Sequence, residues 1–294
     1  MKSVKIITDS CSDLSKELLE KYDIDYAKMR TVCDGKQTEA SLLWEYYTPK
    51  ELYDQIRNGV HVTTTQVPPE EFVRIFDKYI ENYDIVYIGC STKQSGSVNT
   101  AAVIAKQYKE KYPESSIYCI DSLNASIGEG MLAIKAAELR DEGKNAEEIY
   151  SNINAIRNNV CEFITVHTLE YLKRSGRVKA TAAFFGNLMG VKPILISDAN
   201  GVQTPIKKVK GRMNSFNELV SLMAENIVDS ENQTIYLVHA DCDPSEVEAL
   251  KDLTLSKIKC KEVLPLYIGP IIGASVGPDT IGLFAFGKEV TYAI

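Results

Sequence analysis

Three apolar runs in the first half of the chain each end in a loop crowded with hydroxyl side chains, and each loop leads into an amphipathic stretch. Val4–Thr8 runs into "DSCSD", Ile85–Gly89 into "CSTKQSGS", and Ser116–Ile120 into "DSLNAS". Strand, loop and helix repeated in this order predict a parallel sheet with crossover helices, and such sheets bind ligands beyond the carboxyl ends of their strands. The spacing predicts helices over Asp13–Tyr22, with Leu14, Leu18 and Leu19 on one face, over Ser97–Tyr112, and over about 128–143. An insertion over roughly residues 31–59 carries Thr48-Pro-Lys-Glu51, which reads as a capping box with proline at the first helical position.

Beyond residue 159 the pattern changes. Val191–Ile196, Gly201–Pro205, Gln233–His239, Glu262–Ile268 and Ile281–Phe286 read as strands between Gly, Asn and Pro turns, with helices near Ser215–Ile227 and Ser245–Leu253. The expected fold class is α/β: an N-terminal parallel-sheet α/β domain over 1–159 and a smaller α+β domain over 160–294, with the ligand site between them. A formal net charge of -7 argues against nonspecific nucleic-acid binding, which needs a basic surface. Seven scattered cysteines without a Cys-x-x-Cys pair fit reduced thiols and neither a disulfide frame nor a zinc site. No run approaches eighteen apolar residues, so a cytoplasmic protein without stable membrane insertion is expected.

Gly273-Ala-Ser275-Val-Gly277 matches the nucleophile elbow of α/β hydrolases in letters only. The elbow opens a helix and is followed by a histidine, whereas here a turn and a strand are expected next and the last histidine is His239. His239-Ala-Asp-Cys-Asp243 resembles a metal cluster, but Asp243-Pro244-Ser-Glu246 reads better as an N-cap, first-position proline and capping-box acid. No metal site is assigned, and no phosphate or dinucleotide motif follows a strand. What remains is a pair of hydroxyl clusters, His61–Pro69 and Cys90–Ser97. The second leads into a helix N-terminus that suits a carboxylate or phosphate. Taken singly, each Ser or Thr there is equally a cap or turn residue.

The segments "IITDSCSDL", "TTTQVPPEEF", "YIGCSTKQSGSVNTA", "CIDSLNASIGEGML", "LEYLKRSGRVKA", "VKPILI" and "GPIIGASVGP" resemble the DegV family in order and spacing, over nearly the whole chain. The resemblance implies a non-catalytic carrier without a cofactor. Such a carrier holds a long-chain fatty acid in an apolar tunnel and presents its carboxylate to a separate fatty acid kinase, which makes acyl phosphate for phospholipid synthesis. Carried over by position, the hydroxyls of Thr64, Thr65, Ser91, Thr92, Ser95 and Ser275 would bind the carboxylate. Ser275 stands where the family has a histidine, and Ser175-Gly176-Arg177 where it has Gly-Gly-Arg, so kinase-coupled turnover is the property most exposed to these departures. Phe184, Phe185, Leu188 and Met189, with Ile194–Ile196, are candidates for the tunnel wall.

Burying a methylene is worth about 0.8 kcal/mol, so a dozen supply on the order of 10 kcal/mol before ordering costs. The tunnel would then set affinity and the hydroxyls would select an acid. Between Tyr171 and Arg212 the sequence has nine basic residues against the single acid Asp198. In the resembled family this region faces the kinase, which makes Arg174, Arg177, Lys207, Lys208, Lys210 and Arg212 the expected docking residues. Two other readings of the residues stay open: an enzyme acting on a small carboxylate or phosphate through a Ser/Thr nucleophile with Asp9 or Asp121 nearby, and a lipid sensor without a kinase.

Overall fold

The structure is a computed structural model that describes residues 2–179 and 190–293. Strand β1 (Ser3–Asp9) is buried at six successive positions, as expected of a parallel strand covered on both faces. Helix α1 (Lys16–Lys21) starts later than its apolar spacing suggests, because Asp13 takes φ +51° and the cap falls on Ser15, whose hydroxyl accepts from Leu18 N. β2 (Ile24–Ala27) follows, then a hairpin of β3 (Arg30–Cys33) and β4 (Lys36–Glu39). The hairpin turns at Asp34-Gly35, where both residues have positive φ, the conformation that an Asp-Gly turn favours. This hairpin lies inside the insertion, where the sequence reading placed no strand. Helix α2 (Pro49–Arg57) has the expected capping box between Thr48 and Glu51.

β5 (Thr63–Thr65), α3 (Pro69–Tyr79), β6 (Tyr83–Gly89), α4 (Ser97–Lys111), β7 (Ile117–Asp121), α5 (Ile127–Asp141) and α6 (Ala146–Ile156) complete this part. Four strands form an all-parallel sheet in the order β2-β1-β6-β7, and β4-β3-β5 form a small antiparallel sheet beside it. The rest comprises β8 (Val160–Thr165), α7 (Glu170–Ser175), β9 (Val191–Ser197), β10 (Gln203–Lys210), α8 (Arg212–Asn226), β11 (Thr234–His239), α9 (Pro244–Lys257), β12 (Glu262–Tyr267), α10 (Pro270–Val276) and β13 (Ile281–Phe286). Its strands build a six-stranded mixed sheet in the order β10-β9-β8-β13-β11-β12. The protein is thus α/β, with a parallel sheet, crossover helices and a second, mixed sheet.

One local expectation changes. Asp243 does cap α9, accepting from Ser245 N, but Glu246 is not the reciprocal acid; it pairs with Arg212 at 2.7 Å. As expected, the Gly-x-Ser-x-Gly motif opens no helix: Ser275 lies near the end of α10, and a turn at Pro278-Asp279 and strand β13 follow.

One apolar core joins the two large sheets. Ile6, Val86 and Ile88 of the first and Leu195, Val238 and Phe284 of the second belong to the same buried cluster, with α5 between them. That helix is buried nearly all round, which explains its run of small residues, Ala133, Ala136 and Ala137. Further clusters lie between the parallel sheet and α3 and α4, and beneath α8 and α9. The carboxyl ends of β1 and β6 therefore face the second sheet across α5 and α10.

Candidate functional site

A cavity of about 380 Å³ opens at those strand ends. Thr64 and Thr65 of β5, Thr92 and Ser95 of the loop after β6, and Ser275 of α10 supply hydroxyls to its lining, together with Gln66, Gln94 and Arg177. Ile164, Leu172, Val238, Ile268, Ile271 and Phe284 supply apolar surface. The hydroxyl, amide and guanidinium groups of this lining suit an anion, and its apolar side chains suit hydrocarbon.

The two hydroxyl clusters, thirty residues apart in sequence, are tied together directly. Val67 N donates to Ser97 Oγ at 3.1 Å, Ser97 Oγ lies 2.9 Å from Ser95 Oγ, and Gln66 Nε2 donates to Thr100 Oγ1 at 3.1 Å. Gly96 sits at the start of α4 where a Cβ would meet Gln66 Oε1 at 2.1 Å, so any larger residue would have to displace the Gln66 amide that reaches Thr100. Gly96 cannot cap α4, and Ser95 Oγ accepts from Ser97 N at 3.3 Å, so the first N–H of the helix is already bound within the loop.

The acids of the first motif position this loop. Asp9, fully buried, accepts from Cys11 N at 2.9 Å, Cys90 N at 3.4 Å and Tyr87 Oη at 2.7 Å, which stitches the ends of β1 and β6 together. Asp13 accepts from Gly269 N at 2.8 Å and from Ser126 Oγ, joining the β1–α1 loop to the starts of α10 and α5. Ser126 holds φ +54° and ψ -151°, a strained backbone that this contact secures. Asp121 organises a turn, accepting from Thr92 N at 3.2 Å, from Leu123 N at 3.0 Å and from the Thr92 hydroxyl.

The expected site residues separate accordingly. Thr64, Thr65, Thr92, Ser95 and Ser275 line the cavity. Thr64 and Thr65 hydroxyls have no protein partner among the described residues, and Ser275 Oγ makes only a long bond of 3.4 Å to Ile271 O. Ser91 is a correction: it is fully buried, outside the lining, and its hydroxyl donates to Gly201 O at 2.7 Å while accepting from Lys93 N at 3.2 Å. The sequence places it beside Thr92, but the loop turns it toward the β9–β10 connection.

Of the basic residues, Arg177 lines the cavity itself, its Nε donating to Gln94 O at 3.3 Å. Arg174 is exposed and stacks on Tyr171 at 5.0 Å from the ring centre; Lys207, paired with Glu218, and Lys208 and Lys210 are exposed on β10. Arg212 is a second correction, because its side chain is only 15% exposed, packed on Phe216 and bound to Glu246. It offers little charge to a partner. Among the wall candidates, Ile194, Leu195 and Ile196 are buried in strand β9 but do not line the cavity, and Phe184, Phe185, Leu188 and Met189 lie outside the described residues. The sequence reading missed Cys11, Met29 and Cys90 in the lining, and Glu162 and Gln203. The lone acid of the apolar run Val160–Val166 was the available signal for Glu162.

Burial pushes Asp13 and Glu162 each up to about 7, and it also raises Asp9 and Glu129. In the unfolded chain these groups titrate near 4. A folded pKa above the unfolded one favours the fold while the group keeps its proton, so this stability is complete below pH 4 and is lost as pH rises through 7. We expect the melting temperature to fall between pH 5 and pH 8, with Asp13 and Glu162 each contributing on the order of 2 kcal/mol. Calorimetry across that range checks it, and a melting temperature that rises toward pH 8 would contradict the burial of these carboxyls.

The model of the DegV family, a family described as uncharacterised, matches residues 3–288. A DegV domain-containing protein of Clostridium perfringens is 34% identical over 289 residues, covering 98% of both chains. Among solved structures, a fatty-acid-binding DegV family protein from Thermus thermophilus superposes with a TM-score of 0.86 at 28% identity, covering 98% of this chain and 100% of that one. A stearic-acid-binding protein from Eubacterium ventriosum gives 0.84 at 25% identity, covering 97% and 98%. From the parallel sheet to the last strand, this chain belongs to the DegV family.

Proposed function

We propose that the protein is a carrier that holds a long-chain fatty acid in the cavity and presents its carboxylate to a fatty acid kinase. The observation that carries this reading is one cavity lined both by hydroxyl side chains and by apolar side chains. In the reading, Thr64, Thr65, Ser95 and Ser275 donate to the carboxylate, Thr92, whose hydroxyl already donates to Asp121, holds the loop in place, and Arg177 adds positive charge. Charge-assisted hydrogen bonds of this kind are worth roughly 1.5–3 kcal/mol each. The same reading divides the chain at 159/160, with the ligand between the two parts, and makes the protein cytoplasmic; no helix among the described residues is long and apolar enough to cross a membrane. Presentation to a kinase is supported by the family resemblance and by the exposed basic side chains Arg174, Lys207, Lys208 and Lys210.

Native mass spectrometry of the purified protein is expected to show one bound fatty acid, and adding a fatty acid kinase with ATP to convert it to acyl phosphate. Protein that is always lipid-free and refuses palmitate and oleate overturns the carrier reading. Lipid-loaded protein that no kinase uses overturns only the presentation step.

A further inference from the structure

Three neighbouring strands of the parallel sheet deliver sulfur to the cavity wall. Cys11 follows β1, Met29 follows β2 and Cys90 follows β6, and β2-β1-β6 lie side by side, so residues far apart in sequence meet beyond the carboxyl ends of the strands. Cys11 Sγ lies 3.5 Å from Met29 Sδ. Glu129, from the first turn of α5, adds a carboxyl group to this cluster. The sulfurs of Cys11 and Cys90 and one carboxylate oxygen of Glu129 all lie within 4.8 Å of one another, and all three residues are buried.

The cluster is held in place by its surroundings. Asp9 accepts from both Cys11 N and Cys90 N, so one carboxylate fixes the two thiol-bearing residues relative to each other. Met29 N donates to Ser10 Oγ at 2.9 Å, which ties the third sulfur to the same loop. Glu129 Oε1 accepts from the Thr8 hydroxyl at 2.6 Å, whereas Oε2 has no hydrogen-bond partner among the described residues. A fully buried carboxyl oxygen without a partner is uncommon and unfavourable, and a cation beside it removes the deficit. Ligand atoms at about 2.0–2.3 Å from a zinc ion stand about 3.5–4 Å apart in a tetrahedron, so small side-chain rotations would close this group on an ion.

We propose that Cys11, Cys90 and Glu129 bind a divalent cation of the zinc class in the wall of the cavity. Two thiolates and a carboxylate are ligand types that zinc accepts. Thiolates with the Met29 thioether alone would favour Cu(I), but the hard carboxylate oxygen and the summed charge of three anionic ligands favour a divalent ion. The ligands bind in their deprotonated forms, and their protons pass to solvent as the ion enters. Because Cys11 and Cys90 line the cavity, the ion arrives from it and keeps its fourth position on that side, open to water or to a ligand oxygen. The site does not depend on the fatty-acid reading.

The test is titration of Zn²⁺ into reduced, chelator-treated protein in competition with a chromophoric chelator, with Co²⁺ as a spectroscopic probe. The protein is expected to withdraw one Zn²⁺ per chain from the competitor, and Co²⁺ to give the near-ultraviolet charge-transfer band of thiolate ligands. Cys11→Ser and Cys90→Ser should each weaken Zn²⁺ binding by at least about a hundredfold, and Glu129→Gln by about tenfold or more, since loss of even an outer partner of a metal site costs about 10–100-fold. The triple variant Cys33→Ser, Cys119→Ser, Cys260→Ser removes the half-buried thiols and leaves the cluster intact. It should bind Zn²⁺ as the parent does, and it carries the test if the buried-cysteine variants do not fold. The inference fails if the protein takes up no Zn²⁺, if the Co²⁺ spectrum lacks the thiolate band, if binding survives loss of Cys11 and Cys90, or if the triple variant abolishes it. The two thiols and the carboxyl are then core packing only.

Discussion

Replacing Gly130 by valine is expected to leave little folded, soluble protein, and replacing it by alanine to lower stability by about 1–3 kcal/mol. The reason is the approach of α5 to the loop after β1. A Cβ at Gly130 would lie 2.6 Å from Ser12 O, 2.9 Å from Leu14 Cδ2 and 3.0 Å from Ile127 Cδ1. The first of these is backbone, in a loop pinned by Asp9 and Asp13, so it cannot swing aside as a flexible side chain would. Alanine normally favours a helix over glycine by up to about 1 kcal/mol, and here the contact outweighs that gain. The loop also carries Cys11 into the cavity wall, so the alanine variant should bind its ligand less tightly. Thermal melting of Gly130→Ala checks the first step: a variant as stable as the parent would mean that α5 and the loop are not in this close contact.

Gly130 was visible in the sequence, as part of "IGEGML", but its reason was not. The strands of the parallel sheet were legible because β1 and β6 are buried on both faces and so read as mostly apolar runs, interrupted in β1 by Lys5, whose ammonium reaches Asp23. Their hydroxyl-rich ends were legible for the same reason, since the polar switch marks where each strand leaves the core. The β3–β4 hairpin was missed although Asp34-Gly35 signals it, because its strands are short and mostly half-exposed. Helix α10 was hidden by the glycines and prolines of "GPIIGASVGP", where Pro270 takes the first helical position and Gly277, at φ +80°, follows the last. Which way each hydroxyl of "CSTKQSGS" points was beyond any local pattern. That depends on Gly201, more than a hundred residues away, which captures Ser91, and on Asp121, which takes the Thr92 proton, so that Ser95 is left to the cavity.

That difference yields opposite outcomes for neighbouring hydroxyls. Thr65→Val removes a hydroxyl without a protein partner and keeps the branched shape that suits β5. It should leave the melting temperature nearly unchanged and weaken binding of a fatty acid about tenfold, the equivalent of a roughly 1.5 kcal/mol hydrogen bond to a charged carboxylate. Adding Thr64→Val should deepen the loss by a smaller factor, because consecutive side chains of β5 point to opposite faces and the two hydroxyls cannot approach one carboxylate equally. Ser91→Ala should do the reverse. It leaves the buried Gly201 carbonyl without its 2.7 Å donor from Ser91, with only Gln94 Nε2 remaining at 3.2 Å. The expected cost is about 1–3 kcal/mol of stability, with affinity for the acid changed far less than in the threonine variants. Melting temperature and fatty-acid affinity measured together on these variants decide the assignment. If Ser91→Ala weakens binding as much as Thr65→Val at unchanged stability, the Ser91 hydroxyl faces the ligand and the two loops meet in another arrangement.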